Sequence, residues 1–210
     1  MNEVSASALS ETLPPPPAAR PLARREFIEL QRKHVSWVIM AVLVPAWFYL
    51  PVTSNGTLAL AADALGFLAV SLAVIGRLWC ALYIAGRKNF ELCQDGPYSL
   101  VRNPLYVFSY VGAIGVVLAS HRWGLLPLVS CAYVLYYHVV IKAEEARLAN
   151  LFPGAYPAYC QEVPRGIPRL RGFRTRTQIS LDPRAVTRAM REVIWFPIAF
   201  VAMHILVHFA

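Results

Sequence analysis

Residues 58–85 read LALAADALGFLAVSLAVIGRLWCALYIA, 28 positions with only two charged side chains, Asp63 near the start and Arg77 near the end. A hydrocarbon core about 30 Å thick is crossed by roughly 20 helical residues, so this stretch is read as a membrane-spanning helix. Asp63 is placed at the outer interface. Arg77 either snorkels along the helix or lines an internal cavity, because a lone charge in lipid is costly.

The rest of the chain agrees. Of 210 residues, 57% are hydrophobic and 15% charged, and the mean hydropathy is +0.47. Soluble domains sit near 45–50% apolar and about 25% charged. Further apolar runs cover 34–51, Leu105–Ser120, Leu125–Ile141 and Ile194–Phe209. The expected fold is therefore all-α: a polytopic helical membrane protein with about five transmembrane helices. The runs at 105–120 and 125–141 are joined by HRWG and read as a helical hairpin, while the last run, with 16 residues, is marginal by length.

Polar segments punctuate these runs. Residues 1–24 include four consecutive prolines and lack the apolar stretch of a signal peptide, so residues 1–33 are expected to be a disordered, Pro-rich cytosolic tail. The expected organisation continues with N-terminal transmembrane helices over 34–86, a core over 87–170, and a basic linker with a C-terminal transmembrane helix over 171–210. The net charge is +8. Its basic residues flank apolar runs: five Lys/Arg in the tail, three in 87–103 and ten in 142–192, against Arg122 alone on the opposite side. The positive-inside rule puts those three segments on one cytosolic face, and topology rather than nucleic-acid binding accounts for the charge. Four cysteines, Cys80, Cys93, Cys131 and Cys160, form no CxxC pair and no zinc spacing with histidines, so neither a disulfide framework nor a metal site is expected.

Two polar segments thus meet at one membrane surface. The first is GPYSLVRNPLY, Gly96–Tyr106. Gly96-Pro97 marks a turn, and Asn103-Pro104 has the form of a helix start, with Asn as N-cap and Pro at the first helical position. That helix N-terminus, beside Arg102, suits a carboxylate or phosphate. The second is KAEEARLANLFPGAYPAYCQEVPRGIPRL, Lys142–Leu170. Glu144, Arg147 and Leu148 share one helix face. Glu144 and Glu145 are read as lying at the end of the fourth span, where acids oppose the helix dipole. Tyr156 and Tyr159 either cap a pocket or belong to an interfacial aromatic belt.

The order G-P-Y-x-x-x-R-[HN]-P-x-Y, a hairpin, then E-E-x-x-L-x-x-x-F-x-x-x-Y-x-x-Y-x-x-x-V-x-R-x-x-P resembles the superfamily of isoprenylcysteine carboxyl methyltransferases and phospholipid methyltransferases, over about Gly76 to Pro168. The resemblance implies S-adenosyl-L-methionine as cofactor, held in a pocket on the cytosolic face. The cofactor-binding residues it implies are Tyr83, Phe90, Glu91, Leu92, Cys93, Tyr98, Asn103, Pro104, Leu105, Tyr106, Glu144 and Tyr156. Arg102 is the catalytic candidate that shapes the carboxylate or substrate end, and Glu145 the candidate on the acceptor side. Two departures stand out. Asn103 replaces the family's common His and carries no titratable proton. Val140 stands where the prenylcysteine enzymes have an Arg near the substrate carboxylate, leaving Lys142 or Arg77 as substitutes.

The expected activity is methyl transfer by an integral membrane enzyme to a lipid or lipid-like acceptor entering from the bilayer, with the bacterial inner membrane as location. The acceptor atom stays open among carboxylate, amine, phenol and thiol. The alternative is a non-catalytic membrane scaffold or carrier that keeps the fold.

Overall fold

The computed structural model describes residues 41–43, 45–52, 56–87, 90–178 and 181–209. The expected disordered tail, residues 34–40 and 44 of the first apolar run and Lys88 lie outside the described residues; residues 41–43 and 45–49 of that run are helical. All regular structure among the described residues is helical: α1 Thr57–Ile84, α2 Pro97–Leu100, α3 Pro104–Ala119, α4 Leu125–Leu151, α5 Ala155–Glu162, α6 Pro183–Val193 and α7 Trp195–Phe209. The chain is a polytopic helical membrane protein, with α1, α4 and the stretch 183–207 each long and apolar enough to cross a bilayer and α3 a shorter apolar helix.

The bundle is built on α1 against α3. The buried residues of α1 are Ala62, Gly66, Val70, Ala73, Gly76, Cys80 and Tyr83, spaced by three and four so that they form one stripe. Most are small, and small residues let membrane helices approach closely where lipid supplies no hydrophobic drive. A methyl group added at Gly115 would lie 2.7 Å from the Gly66 carbonyl oxygen, and one added at Gly66 would lie 2.8 Å from that of Gly115. Gly76 accepts the Phe108 ring in the same way. Helix α7 packs against both α1 and α3. Helix α4 meets only α3 and α5 among these helices, and leaves Val134, Leu135 and Val139 on its outer face.

Helix α4 also corrects one expectation. It does not end at Ile141 but continues to Leu151. Glu144 and Glu145 therefore sit within the helix rather than at its end, and the dipole argument for them lapses. The reason is local: KAEEARLANL is rich in strong helix formers, and the helix stops only at Phe152-Pro153-Gly154. Similarly, the last apolar run is preceded by α6, broken from α7 only at Ile194, so the pair forms a span of 25 residues.

The charges inside the bundle are paired. Arg77 bonds Ser109 Oγ, lies 3.3 Å from Glu192 Oε2 and stands over the Phe196 ring. It joins α1 to α3 and α6 instead of remaining free for an acceptor carboxylate. Asp63 Oδ1 is 2.9 Å from His121 Nε2 and 3.4 Å from His204 Nδ1, which ties α1, the α3–α4 turn and α7 together. All four cysteines are free.

Candidate functional site

The Gly96–Tyr106 segment is shaped by its backbone requirements. Gly96 has φ +59, and a Cβ there would also collide with the ring of Tyr83, so glycine is required twice over. One helical turn follows, α2, then an extended Val101 and the N-cap Asn103. Asn103 takes the cap position without capping through its side chain. Its Nδ2 instead donates to Glu145 Oε1 at 3.4 Å.

A strap of chain over 164–176 runs beside this segment. Arg102 N donates to Pro164 O, Arg169 N to Leu100 O and Gly96 N to Arg174 O, at 2.9, 2.9 and 2.7 Å. Arg174 N donates to Ser99 Oγ, and Tyr83 Oη lies 2.6 Å from Thr175 Oγ1. At its outer edge Arg176 engages Asp95 and Glu91. The hydrogen bond from Arg176 holds the Glu91 carboxyl below its usual value, against a small opposing effect of burial.

On the other side, α5 presents Tyr156, Tyr159 and Val163 to Leu92, Leu148 and Phe152. The Tyr159 hydroxyl donates to Tyr98 O at 2.7 Å. Burial pushes the phenols of Tyr98 and Tyr159 well above their ordinary values, and the Cys93 thiol up as well. These groups are neutral at physiological pH, and the tyrosines remain hydrogen-bond donors.

Between these elements lies a cavity of about 160 Å³. Of the predicted residues, Glu91, Leu92, Cys93, Tyr98, Arg102, Asn103, Pro104, Leu105, Tyr106 and Glu144 line it. The two polar segments, about 40 residues apart, therefore do share a hollow. The hydroxyl of Tyr98 is buried there without a hydrogen-bond partner, and Glu144 Oε1 is 3.5 Å from Arg147 Nη2, also in the lining.

Four predicted residues stand outside this lining. Phe90 is 86% exposed. Tyr83 is engaged by Gly96 and Thr175 behind the wall. Tyr156 packs in the α5 cluster. Glu145 is turned away and clamped: Arg165 Nε donates to its Oε1 at 3.2 Å, and Arg102 Nη1 is 3.6 Å from the same oxygen. A carboxylate held by two guanidiniums and an amide is a tie between α4 and the Arg102–Asn103 turn.

A second hollow, a groove of about 340 Å³, runs between α3 and α4 and shares Asn103 and Tyr106 with the cavity. Tyr106, Tyr110, Tyr133 and Tyr137 wall it, with Arg165 and Gly166 at one end. Ring pairs Tyr106–Tyr137, Tyr110–Tyr133 and Tyr133–Tyr137 have centroids 4.9, 5.1 and 4.1 Å apart. Sequence reasoning singled out Tyr106, for the cofactor, but not Tyr110, Tyr133, Tyr137 or Arg165. Arg165 stands in the V-x-R-x-x-P part of the motif, which was the available signal; the ring pairing spans two helices and left no local one.

Comparison with known proteins bears on this geometry. A family model, phospholipid methyltransferase, matches residues 58–155. The cobalt-zinc-cadmium resistance protein CzcN of Cupriavidus metallidurans is 39% identical over 132 residues, 63% of this chain and 61% of that protein. The nickel-cobalt-cadmium resistance protein NccN of Alcaligenes xylosoxydans xylosoxydans is 38% identical over 131 residues, 62% of this chain and 61% of that protein. The protein-S-isoprenylcysteine O-methyltransferase of Schizosaccharomyces pombe is 32% identical over 87 residues, 40% of this chain and 37% of that protein. The chain thus spans 61% of the length of the first two relatives. No solved structure matches. The matched segment 58–155 carries nearly all of α1, the Gly96–Tyr106 motif, the first part of the Lys142–Leu170 motif and the α3 and α4 walls of the groove, and through it this chain is similar to the superfamily of membrane methyltransferases that holds the phospholipid and isoprenylcysteine enzymes.

Proposed function

We propose that this protein is an S-adenosyl-L-methionine-dependent methyltransferase of a membrane, acting on a lipid or lipid-like acceptor, with the cavity facing the cytosol. The observation that carries this reading is the cavity that Asn103 and Glu144 line together, beside an apolar groove with which it shares Asn103 and Tyr106 as lining.

The residues fit the cofactor. The unpartnered Tyr98 hydroxyl offers a donor, Glu144 an acceptor for an ammonium or ribose, Tyr106 a ring face, and the α3 N-terminus a positive end for a carboxylate. When bound, the cofactor supplies a methyl group already activated by a sulfonium charge. The protein's own task is then placement and exclusion of water, and no residue at the junction has to move a proton. Asn103 is consistent with that, because it cannot titrate. Arg102 shapes the junction through its contacts with Glu145 and with Cys160 Sγ at 3.0 Å. The cavity is smaller than the roughly 300–1,000 Å³ of sites that enclose drug-sized ligands. Admission of the cofactor therefore calls for the cavity walls to move apart, a motion of the kind that gates many enzymes.

Titration calorimetry of the detergent-solubilised full chain with S-adenosyl-L-methionine tests the reading. Saturable binding is expected, and Glu144→Ala should abolish it; unchanged affinity in the variant defeats the assignment. The names of CzcN and NccN, which speak of metal resistance, are compatible with a second reading, a non-catalytic membrane module that retains the fold. That reading requires no transfer of a radiolabelled methyl group from the cofactor to membrane lipid extract, whereas the first requires it.

A further inference from the structure

We propose that the outer face of the α6–α7 span is a seat for an anionic phospholipid of the surrounding membrane, with Arg184, Arg188 and Arg191 holding its headgroup and Trp195, Ile198 and Ile205 its acyl chain. This rests on neither the cofactor nor the acceptor.

The two helices form one rod. Ile194, between them, keeps helical angles; Ile194 N donates to Met190 O and Ile198 N to Ile194 O, at 3.2 and 3.3 Å. The rod runs antiparallel to α1, with Asp182 beside Gly86, Glu192 beside Arg77 and His204 beside Asp63. The covered side chains of α6 are Ala185, Val186, Ala189 and Val193, and α6 packs on α1. At 3.6 residues per turn, Arg184, Arg188 and Arg191 fall within an arc of about 60° on the other side of the helix, and all three are exposed. The same spacing of four and three continues through Trp195, Ile198, Ala202 and Ile205, which are exposed as well. One stripe therefore changes from cationic to apolar between Arg191 and Trp195. An indole stands at the change, where membrane proteins carry their interfacial aromatics. Headgroup first and hydrocarbon after is the order of a phospholipid.

The charges fix the sign of the head. The neighbouring carboxylates are engaged elsewhere: Asp182 accepts from the Arg184 backbone N–H at 3.0 Å, and Glu192 faces Arg77. Among the described residues no carboxylate is within ion-pair distance of the three arginines, whereas Arg77, Arg102, Arg147 and Arg165 each face one. Uncompensated guanidiniums beside a bilayer attract anionic lipid, where one charge is worth about a fivefold factor, and their forked donors match phosphate oxygens. A second copy related by an axis along the membrane normal would set arginines against arginines. A soluble acidic partner would reach the arginines and leave the apolar half of the stripe unused.

The test uses the full chain in phosphatidylcholine vesicles holding a trace of spin-labelled phosphatidylglycerol or spin-labelled phosphatidylcholine. Electron spin resonance reads the fraction of each label immobilised at the protein. Phosphatidylglycerol should be favoured about fivefold, and Arg184→Gln, Arg188→Gln and Arg191→Gln together should bring the preference to within about twofold. Arg169→Gln with Arg171→Gln, two exposed arginines outside the stripe, should leave it unchanged. No preference in the native chain, a full preference in the triple variant, or a preference lost in the Arg169 and Arg171 double variant overturns the proposal. Hexaglutamate, standing for an acidic protein segment, should not displace phosphatidylglycerol; displacement assigns the stripe to such a partner and also overturns it. If the triple variant does not fold, Arg188→Gln decides: a preference lowered about twofold is expected, and an unchanged one overturns the assignment.

Discussion

The hydroxyl of Tyr159 donates to the backbone carbonyl of Tyr98 across 2.7 Å, with both residues buried. Together with the contact of Arg102 with Cys160 Sγ, this bond couples α5 to the Gly96–Tyr106 segment. Tyr159→Phe leaves the Tyr98 carbonyl without that donor, a loss of about 1–3 kcal/mol. The expected outcome is a lower melting temperature of the solubilised protein together with weaker cofactor binding.

Tyr98→Phe offers a contrast. Its hydroxyl has no partner within the described protein, so removing it should leave the melting temperature unchanged or slightly raised. Cofactor affinity should fall about tenfold, the worth of a hydrogen bond to a ligand. An unaltered affinity would remove Tyr98 from the cofactor set.

The strap should respond to acid. Arg176 holds the Glu91 carboxyl below its ordinary value. A depressed carboxyl stabilises the folded arrangement fully above the unfolded value, about 4.3, and loses that contribution as pH falls through the folded value. Amide exchange over 164–178, corrected for intrinsic rates, should therefore stay protected from neutral pH to about 5 and lose protection below about 4. Glu91→Gln should remove this dependence. High salt should weaken the same protection at neutral pH, because Arg176 and Glu91 are both exposed.

Gly115→Val tests the helix crossing. The added Cβ would lie 2.7 Å from the Gly66 carbonyl oxygen and 2.9 Å from Val70 Cγ2, and overpacking of this kind costs about 1–3 kcal/mol. Gly154→Ala, where a Cβ meets nothing within 4 Å, is the control and should melt like the native chain. Thermal melts in one detergent compare the two.

Hydropathy dictates the all-helical membrane fold without further help, because in lipid every backbone group must be satisfied within its own helix. The turn-and-cap chemistry of Gly96-Pro97 and Asn103-Pro104 is equally local, and the observed elements start where those residues require. Side-chain partners across the bundle are another matter. Asn103 is a good cap by composition, yet its amide turns to Glu145. Glu145 is a candidate for the acceptor side by its place in the motif, yet Arg102 and Arg165 clamp it. Arg77 is free on paper and paired with Ser109 and Glu192 in the bundle. Each outcome depends on which faces of helices distant in sequence are brought within about 3 Å of one another, and hydrogen bonds and ion pairs fall off over that distance. Spacing along a chain carries no record of it. The tyrosine groove is the same case: four rings on two helices become one wall only once α3 and α4 are packed.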